Sequence, residues 1–245
     1  MEFGRPHLHL RRTDSTNERA KELAMSGVSG GLVVTADEQT AGRGRRGHAW
    51  FAPPGSCLLY SALARPFAAD RAPLLPLAVP IAVCEAAEAI APVRCQVKWP
   101  NDIWVEERKI AGVLVEARPD EGWAVVGIGL NVAIAEDDFP PELRGTAASL
   151  LPTEAEGGLP PGGAPSVRRA LSALNEALGP WVDASDEEIL SAYRARDALA
   201  GKRISWDGGE GTVKEVDQRG HLVVETSGGE KVALGAGEVH LAIER

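Results

Sequence analysis

Residues 94–134 read RCQVKWPNDIWVEERKIAGVLVEARPDEGWAVVGIGLNVAI, and the fold class turns on how this stretch divides. Four runs rich in Val, Ile and Trp (RCQVKW, DIWVEE, KIAGVLVEAR and WAVVGIGLNVAI) are parted by Pro-Asn, Glu-Arg and Pro-Asp-Glu-Gly turn residues. Such runs favour extended backbone. A parallel pair needs a crossover of a dozen residues or more, and these connections are far shorter, so the four strands are predicted to form an antiparallel meander.

Working outward, residues 73–91 read as an apolar helix whose Pro76 and Pro80 sit in its first turns, where proline is tolerated. The runs at 57–64, 32–36 and 7–11 read as strands. Between the last two, Ser15 and Glu18 have capping-box spacing ahead of a helix that stops at Gly27. Downstream, PTEAEGGLPPGGAP at 152–165 reads as an exposed loop, and residues 166–182 and 185–200 as two amphipathic helices. After Gly201 the texture changes to short strands and glycine turns, which suits a small β-barrel. The expected architecture is α+β: a mixed, largely antiparallel sheet with helices packed on one face over residues 1–200, and a second domain over 201–245.

The chain has 245 residues, 44% hydrophobic and 25% charged, with a formal net charge of −9. That charge argues against general nucleic-acid binding, which requires a basic face. The three cysteines (Cys57, Cys84, Cys95) have no metal-type spacing and sit among apolar residues, as buried thiols in a reducing cytosol do. The start lacks a signal-peptide layout, and the most apolar run is too short and too interrupted to span a membrane. A cytoplasmic protein is expected.

Within this acidic chain, residues 42–47 spell GRGRRG. A dinucleotide turn needs a strand directly before it and a helix opening on it. Here a polar EQT precedes and HAWFAPPG follows, so that reading fails. Arg43, Arg45 and Arg46 lie in an acid-free stretch, where glycine backbone and guanidinium forks can wrap one anion. Trp50 and Phe51 either pack beneath this loop or form an aromatic lid over a ligand. A second basic constellation is Lys98-Trp99-Pro100-Asn101-Asp102, whose Asn-Asp pair is equally at home capping a turn. Gly112 allows close approach to its strand, and alternation of Gly127 with Gly129 leaves one strand face bare, for a packed helix or for a ligand.

In their order and spacing, DSTN (14–17), EQTAGRGRRG (38–47), KWPND (98–102), KIAGVLVE (109–116) and GIGLN (127–131) resemble the motifs of the biotin protein ligases. The resemblance runs from about residue 8 to 150, and the tail is similar to that family's C-terminal domain. It implies a class II synthetase-like catalytic domain at 1–200 and an SH3-like β-barrel at 201–245. The implied activity forms biotinyl-5′-AMP from biotin and ATP, then transfers biotin to one lysine of a biotin carboxyl carrier protein. The first step presses a carboxylate against a phosphate, so concentrated positive charge is what the protein must supply.

Carried over by position, Ser15, Thr16, Asn17 and Gln39 would hold biotin's polar head. Gly112, Leu114, Gly127 and Gly129 would form the floor around its apolar body. Arg43, Gly44 and Arg45 would close over the carboxylate and phosphate, with Lys109 between them. Arg45, Arg46, Trp50, Asn101, Asp102, Lys109, Leu130 and Asn131 would face ATP, and a nucleotide loop would span 134–144 with Phe139 its aromatic residue. Lys109, Arg43, Arg45 and Asp102 are the implied catalytic groups. The resemblance also implies Mg2+ held through phosphates, with Asp102 as candidate protein ligand. It leaves monomer and homodimer open. Family members that regulate transcription carry an N-terminal winged helix, and this sequence reaches its first cap by residue 14, so DNA binding is not expected. A lipoate ligase or octanoyltransferase shares the catalytic fold, but its motifs are not seen. A non-catalytic biotin-dependent regulator or a nucleic-acid-binding barrel is the other class of reading, and the net charge speaks against it.

Overall fold

The computed structural model describes residues 1–151, 164–235, 237 and 239–241. Seven strands form the main sheet: β1 (His7–Leu10), β2 (Val33–Ala36), β3 (Cys57–Ala64), β4 (Gln96–Lys98), β5 (Asp102–Val105), β6 (Arg108–Arg118) and β7 (Trp123–Asn131), in spatial order β1-β2-β3-β7-β6-β5-β4. β4 to β7 form the expected antiparallel meander. β3 pairs antiparallel with the other side of β7, and the β1–β2 pair is parallel. The sheet is therefore mixed and largely antiparallel. The tip between β5 and β6 holds Glu106 and Glu107 at φ 50 and 60, the positive-φ pair a two-residue hairpin turn demands.

β7 is almost continuously apolar because it is buried on both faces. Ala124, Val126, Ile128 and Leu130 join the core cluster of helix α2 (Leu75–Ile90). Trp123 and Val125 instead pack with Ala20 and Ala24 of α1 (Thr16–Met25). Strand alternation thus puts α1 on the opposite face from α2, correcting the expectation that the helices share one face. Its cause is visible in β3, where Leu58, Tyr60 and Ala62 join the α2 cluster while Leu63 joins that of α1. Ser15 is the N-cap of α1 but makes no side-chain cap hydrogen bond, so the predicted box with Glu18 does not form. A capping box does form where Ser185 and Glu188 open α4 (Asp186–Arg196). The preceding helix, α3 (Val167–Asp183), is capped by Ser166. α2 lies under α3 and α4, and this burial accounts for its apolar sequence. No helix among the described residues is long and apolar enough to cross a membrane. Most of the predicted loop at 152–165 lies outside the described residues.

The remaining strands, β8 (Arg203–Trp206), β9 (Gly209–Val216), β10 (Leu222–Thr226), β11 (Lys231–Leu234) and β12 (Val239–Leu241), form an antiparallel sheet in the order β11-β10-β9-β8-β12. Ile204, Val213, Val216, Leu222, Val224 and Val239 belong to the same apolar cluster as α2. Trp99, itself buried, donates its indole N–H to the Gly220 carbonyl at 3.0 Å, binding the β4–β5 turn to the second sheet.

Replacing Trp99 with Phe removes that bond and three buried ring atoms. It is expected to cost about 2–4 kcal/mol, the bond about 1 kcal/mol of it and the lost packing the rest, which lowers Tm by several degrees. Because the two sheets share a core, unfolding followed by circular dichroism and by fluorescence should remain one coincident transition.

Candidate functional site

A cavity of about 340 Å³ opens over the bare face of β6 and β7. Its floor follows from strand register. Asp102, Gly112, Gly129 and Leu59 lie opposite one another across β5, β6, β7 and β3. The next row on the same face is Leu114, Gly127 and Ser61. A Cβ on Gly127 would stand 2.1 Å from Asn17 Oδ1, and one on Gly129 would stand 2.4 Å from Trp50 Cε2. Only glycine lets the start of α1 and the Trp50 indole lie this close to the sheet.

Over the Gly127 end runs a hydrogen-bond network whose polarity is fixed at both ends. The Thr16 backbone N–H donates to Gln39 Oε1 at 2.6 Å, which turns the Gln39 NH₂ the other way, toward Gly42. At the far end, Asn17 Nδ2 donates to Glu116 Oε2 at 2.9 Å, so Asn17 Oδ1 faces Ser61 and accepts from its hydroxyl at 2.5 Å. Ser61 Oγ also lies 2.8 Å from Thr16 Oγ1. Thr16 Oγ1 donates its own proton to Gln39 Oε1 at 3.0 Å, so the single Ser61 proton is shared between Asn17 Oδ1 and Thr16 Oγ1. Behind Asn17, Lys21 Nζ donates to Glu116 Oε1 at 2.7 Å. Burial disfavours the Glu116 charge, but Lys21 and the Asn17 amide outweigh it and hold the pKa below the ordinary carboxylate value.

The opposite end of the cavity is cationic. Segment 42–50 folds back on itself through Gly44 N–H to the His48 carbonyl (2.7 Å) and Trp50 N–H to the Gly42 carbonyl (3.2 Å). Its only helical element is a single 3-10 turn at Arg45–Gly47, so no helix opens on GRGRRG, as the sequence implied. Arg45 Nη1 donates to Asn101 Oδ1 at 3.3 Å, while Asn101 Nδ2 donates to the Val113 carbonyl at 2.8 Å. Lys109 Nζ lies 2.6 Å from Asp102 Oδ1 and 5.6 Å from the centroid of Trp50. Trp50 reaches across the Gly129 floor and joins a small apolar cluster with Phe51 and Phe139. Its buried N–H has no acceptor. Of the two readings posed by the sequence, the structure shows the packing one, with Trp50 and Phe51 against Phe139 beside the floor.

Every residue assigned from the sequence to biotin, ATP or catalysis borders this cavity except Leu130, whose side chain lies in the α2 core because strand alternation turns it to the other face. Asn131 borders it, yet its NH₂ is committed to the Ala148 carbonyl at 2.9 Å and its oxygen faces the Cys57 thiol at 3.7 Å. Burial pushes that thiol to about 12, which makes it a packing group and no nucleophile. In the segment after β7, Phe139 and Leu143 line the cavity, while Asp137 and Asp138 point to solvent. Gly237, between β11 and β12, and Val239 of β12 also line the wall. Sequence reasoning missed Ser61, Lys21 and Glu116. Ser61 carried a usable signal, as the one aliphatic hydroxyl inside the apolar run CLLYSALA. Lys21 and Glu116 looked like ordinary surface charges.

Among proteins of known family, residues 9–132 match the biotin/lipoate A/B protein ligase family model. The chain is 38% identical over 146 residues to the bifunctional ligase/repressor BirA of Bacillus spizizenii, a match covering 58% of this chain and 45% of that protein, so it spans less than half of that relative. It is 32% identical over 240 residues to the biotin–[acetyl-CoA-carboxylase] ligase of Mycobacterium tuberculosis, covering 93% of this chain and 86% of that one. The biotin protein ligase of Aquifex aeolicus, solved in complex with biotin and ATP, superposes with a TM-score of 0.76 at 28% identity, over 97% of this chain and 99% of that one.

A carboxylate with a lowered folded pKa adds stability above its unfolded value, and that stability is lost as pH falls through the folded one. The stability gap between the wild type and Glu116→Gln is therefore expected to be widest near neutral pH and to close on acidification below about 4.5. Urea denaturation of both proteins at a series of pH values measures it.

Proposed function

The chain belongs to the biotin/lipoate A/B protein ligase family, and we propose that it is a biotin–[biotin carboxyl-carrier protein] ligase. It joins biotin to ATP as biotinyl-5′-AMP with release of pyrophosphate, then transfers the biotinyl group to one lysine of a carrier domain with release of AMP. The observation that carries this reading is one cavity with a neutral hydroxyl–amide network over a side-chain-free floor and, away from it, Lys109 and Arg45 against Asp102 and Asn101, with Arg43 and Arg46 also on its lining.

The neutral end suits a ureido ring, which offers both N–H donors and a carbonyl acceptor. Ser15, Thr16, Asn17 and Gln39 bind it, with Ser61 holding two of them in place. The ring system and its apolar chain lie along Gly112, Leu114, Gly127 and Gly129, under Trp50. This course delivers the carboxylate to Lys109. There it meets the α-phosphate, two anions whose repulsion Lys109, Arg43 and Arg45 offset. Lys109 and Arg45 are held in place beforehand by Asp102 and Asn101, which is worth more than mobile charge because little reorganisation is needed during the reaction. Gly44 lets the backbone of the loop come close. Arg46, Asn101 and Asn131 border the nucleotide side, with Phe51 and Phe139 as apolar surface for a base. In the second step, Asp102 takes the proton of the incoming lysine, 2.6 Å from Lys109 in the free enzyme.

Among the described residues, no group of three His, Cys, Asp or Glu is placed to hold a metal. A lone Asp102 in a cationic cavity fits Mg2+ held chiefly by the phosphates of its nucleotide. Bound there, the ion would screen phosphate charge, with Asp102 as the protein ligand.

We assign residues 1–200 to the catalytic domain and 201–245 to an SH3-like domain. Support comes from the separate five-stranded sheet and its packing through Trp99. The physiological acceptor would be the carrier domain of a biotin-dependent carboxylase, met in the cytoplasm.

Incubated with biotin, MgATP and a carrier domain, the purified protein is expected to add one biotinyl group to the carrier lysine, read by intact mass. Lipoate in place of biotin should give none. Lys109→Ala and Arg43→Ala should each slow biotin-dependent ATP–pyrophosphate exchange, the lysine change by about 10²-fold or more. Gly127→Ala, whose methyl would overlap the Asn17 amide, should raise KM for biotin while the protein stays folded. Wild-type exchange in Lys109→Ala would sink the assignment.

A further inference from the structure

Arg43 already has an anion. Its Nη2 donates to Glu18 Oε1 at 2.6 Å, and Glu18 lies on α1 and does not border the cavity. The same Oε1 accepts from Lys21 Nζ at 2.9 Å, and Lys21 in turn holds Glu116, which holds Asn17. Charges alternate along this line from the arginine loop to the neutral end of the cavity. Resting on the function proposed above, we propose that Glu18 is a positioning residue: it keeps Arg43 against α1 as a resident counter-anion until a ligand carboxylate or phosphate takes its place.

The exchange swaps one anion for another at the guanidinium. Glu18 is not left orphaned, because Lys21 remains bonded to it and the N-terminal turn of α1 favours a negative charge. Lys21 in turn keeps Glu116. The pair is also half in solvent, with side-chain exposures of 54% for Arg43 and 32% for Glu18, so water and salt weaken it and release is easy. Two consequences follow. The latch competes only with ligands that carry an anion, and it holds segment 42–47 folded when the cavity is free of one.

Glu18→Gln keeps the side-chain shape and removes the competing charge. KM for biotin should fall by up to about fivefold, the range of an exposed ion pair, with kcat little changed. The Kd of biotinol, the neutral alcohol analogue, should stay where it is. In an Arg43→Ala background the substitution should no longer affect biotin. Independently of any ligand, trypsin should cut within 42–47 several-fold faster in Glu18→Gln than in wild type, as cleavage tracks the population of the open loop. Equal effects on biotin and biotinol, an effect that survives in Arg43→Ala, weaker biotin binding, or an unchanged tryptic rate would each overturn the latch. If the wild type binds no biotin, the proposed function fails, and the tryptic comparison still decides whether Glu18 restrains Arg43.

Discussion

The site rests on an absence of side chains. Gly112, Gly127 and Gly129 lie on one face of two paired strands, and that bare patch lets α1 and Trp50 approach the sheet backbone. A methyl group at Gly127 would displace the Asn17 amide, and with it the line of hydrogen bonds from Gln39 to Glu116. Strand propensity argues against glycine in such positions, and local stability is given up there for closeness. Burial of β7 on both faces supplies the compensating rigidity, because its intervening residues anchor the strand in the α2 core.

How much of this was legible in the sequence depended on the range of the interaction. The meander of β4 to β7 follows from short connections and alternating apolar residues, both local. The face on which α1 packs does not, since it is settled by which alternate residues of β3 and β7 meet which helix. The same long-range pairing put Leu130 in the core while its neighbour Gly129 floors the cavity. Motif positions came through well, because glycine, arginine and Asn-Asp patterns carry their chemistry with them. Lys21 and Glu116 did not. Their role exists only because residues 95 positions apart in the chain meet behind Asn17. The Ser15–Glu18 spacing misled for a related reason: Glu18 spends its carboxylate on Lys21 and Arg43 instead of the helix cap.

Electrostatics reconcile an acidic chain with an anion site. The net charge of −9 is spread over the surface, whereas the cavity gathers cations from segments far apart in sequence: the 42–47 loop and the start of β6. Carboxylates near those cations are held in pairs, Asp102 with Lys109 and Glu18 with Arg43. The site can therefore exist without large uncompensated charge, and still presents positive groups when an anion enters.

The wall formed by Gly237 and Val239 has a consequence for how the protein is made. Synthesis is vectorial, so the floor, the polar network and the arginine loop all leave the ribosome before this last wall does. Until β12 arrives, the outer edge of β8 at Ile204–Trp206 is unpaired, exposing a row of backbone donors and acceptors to neighbouring nascent chains. A translation product that stops short of β12 would carry most of the cavity but not its closure. It would present an unpaired sheet edge, a template for pairing with another chain, so that the strand which completes the cavity wall is also the one that blunts this edge.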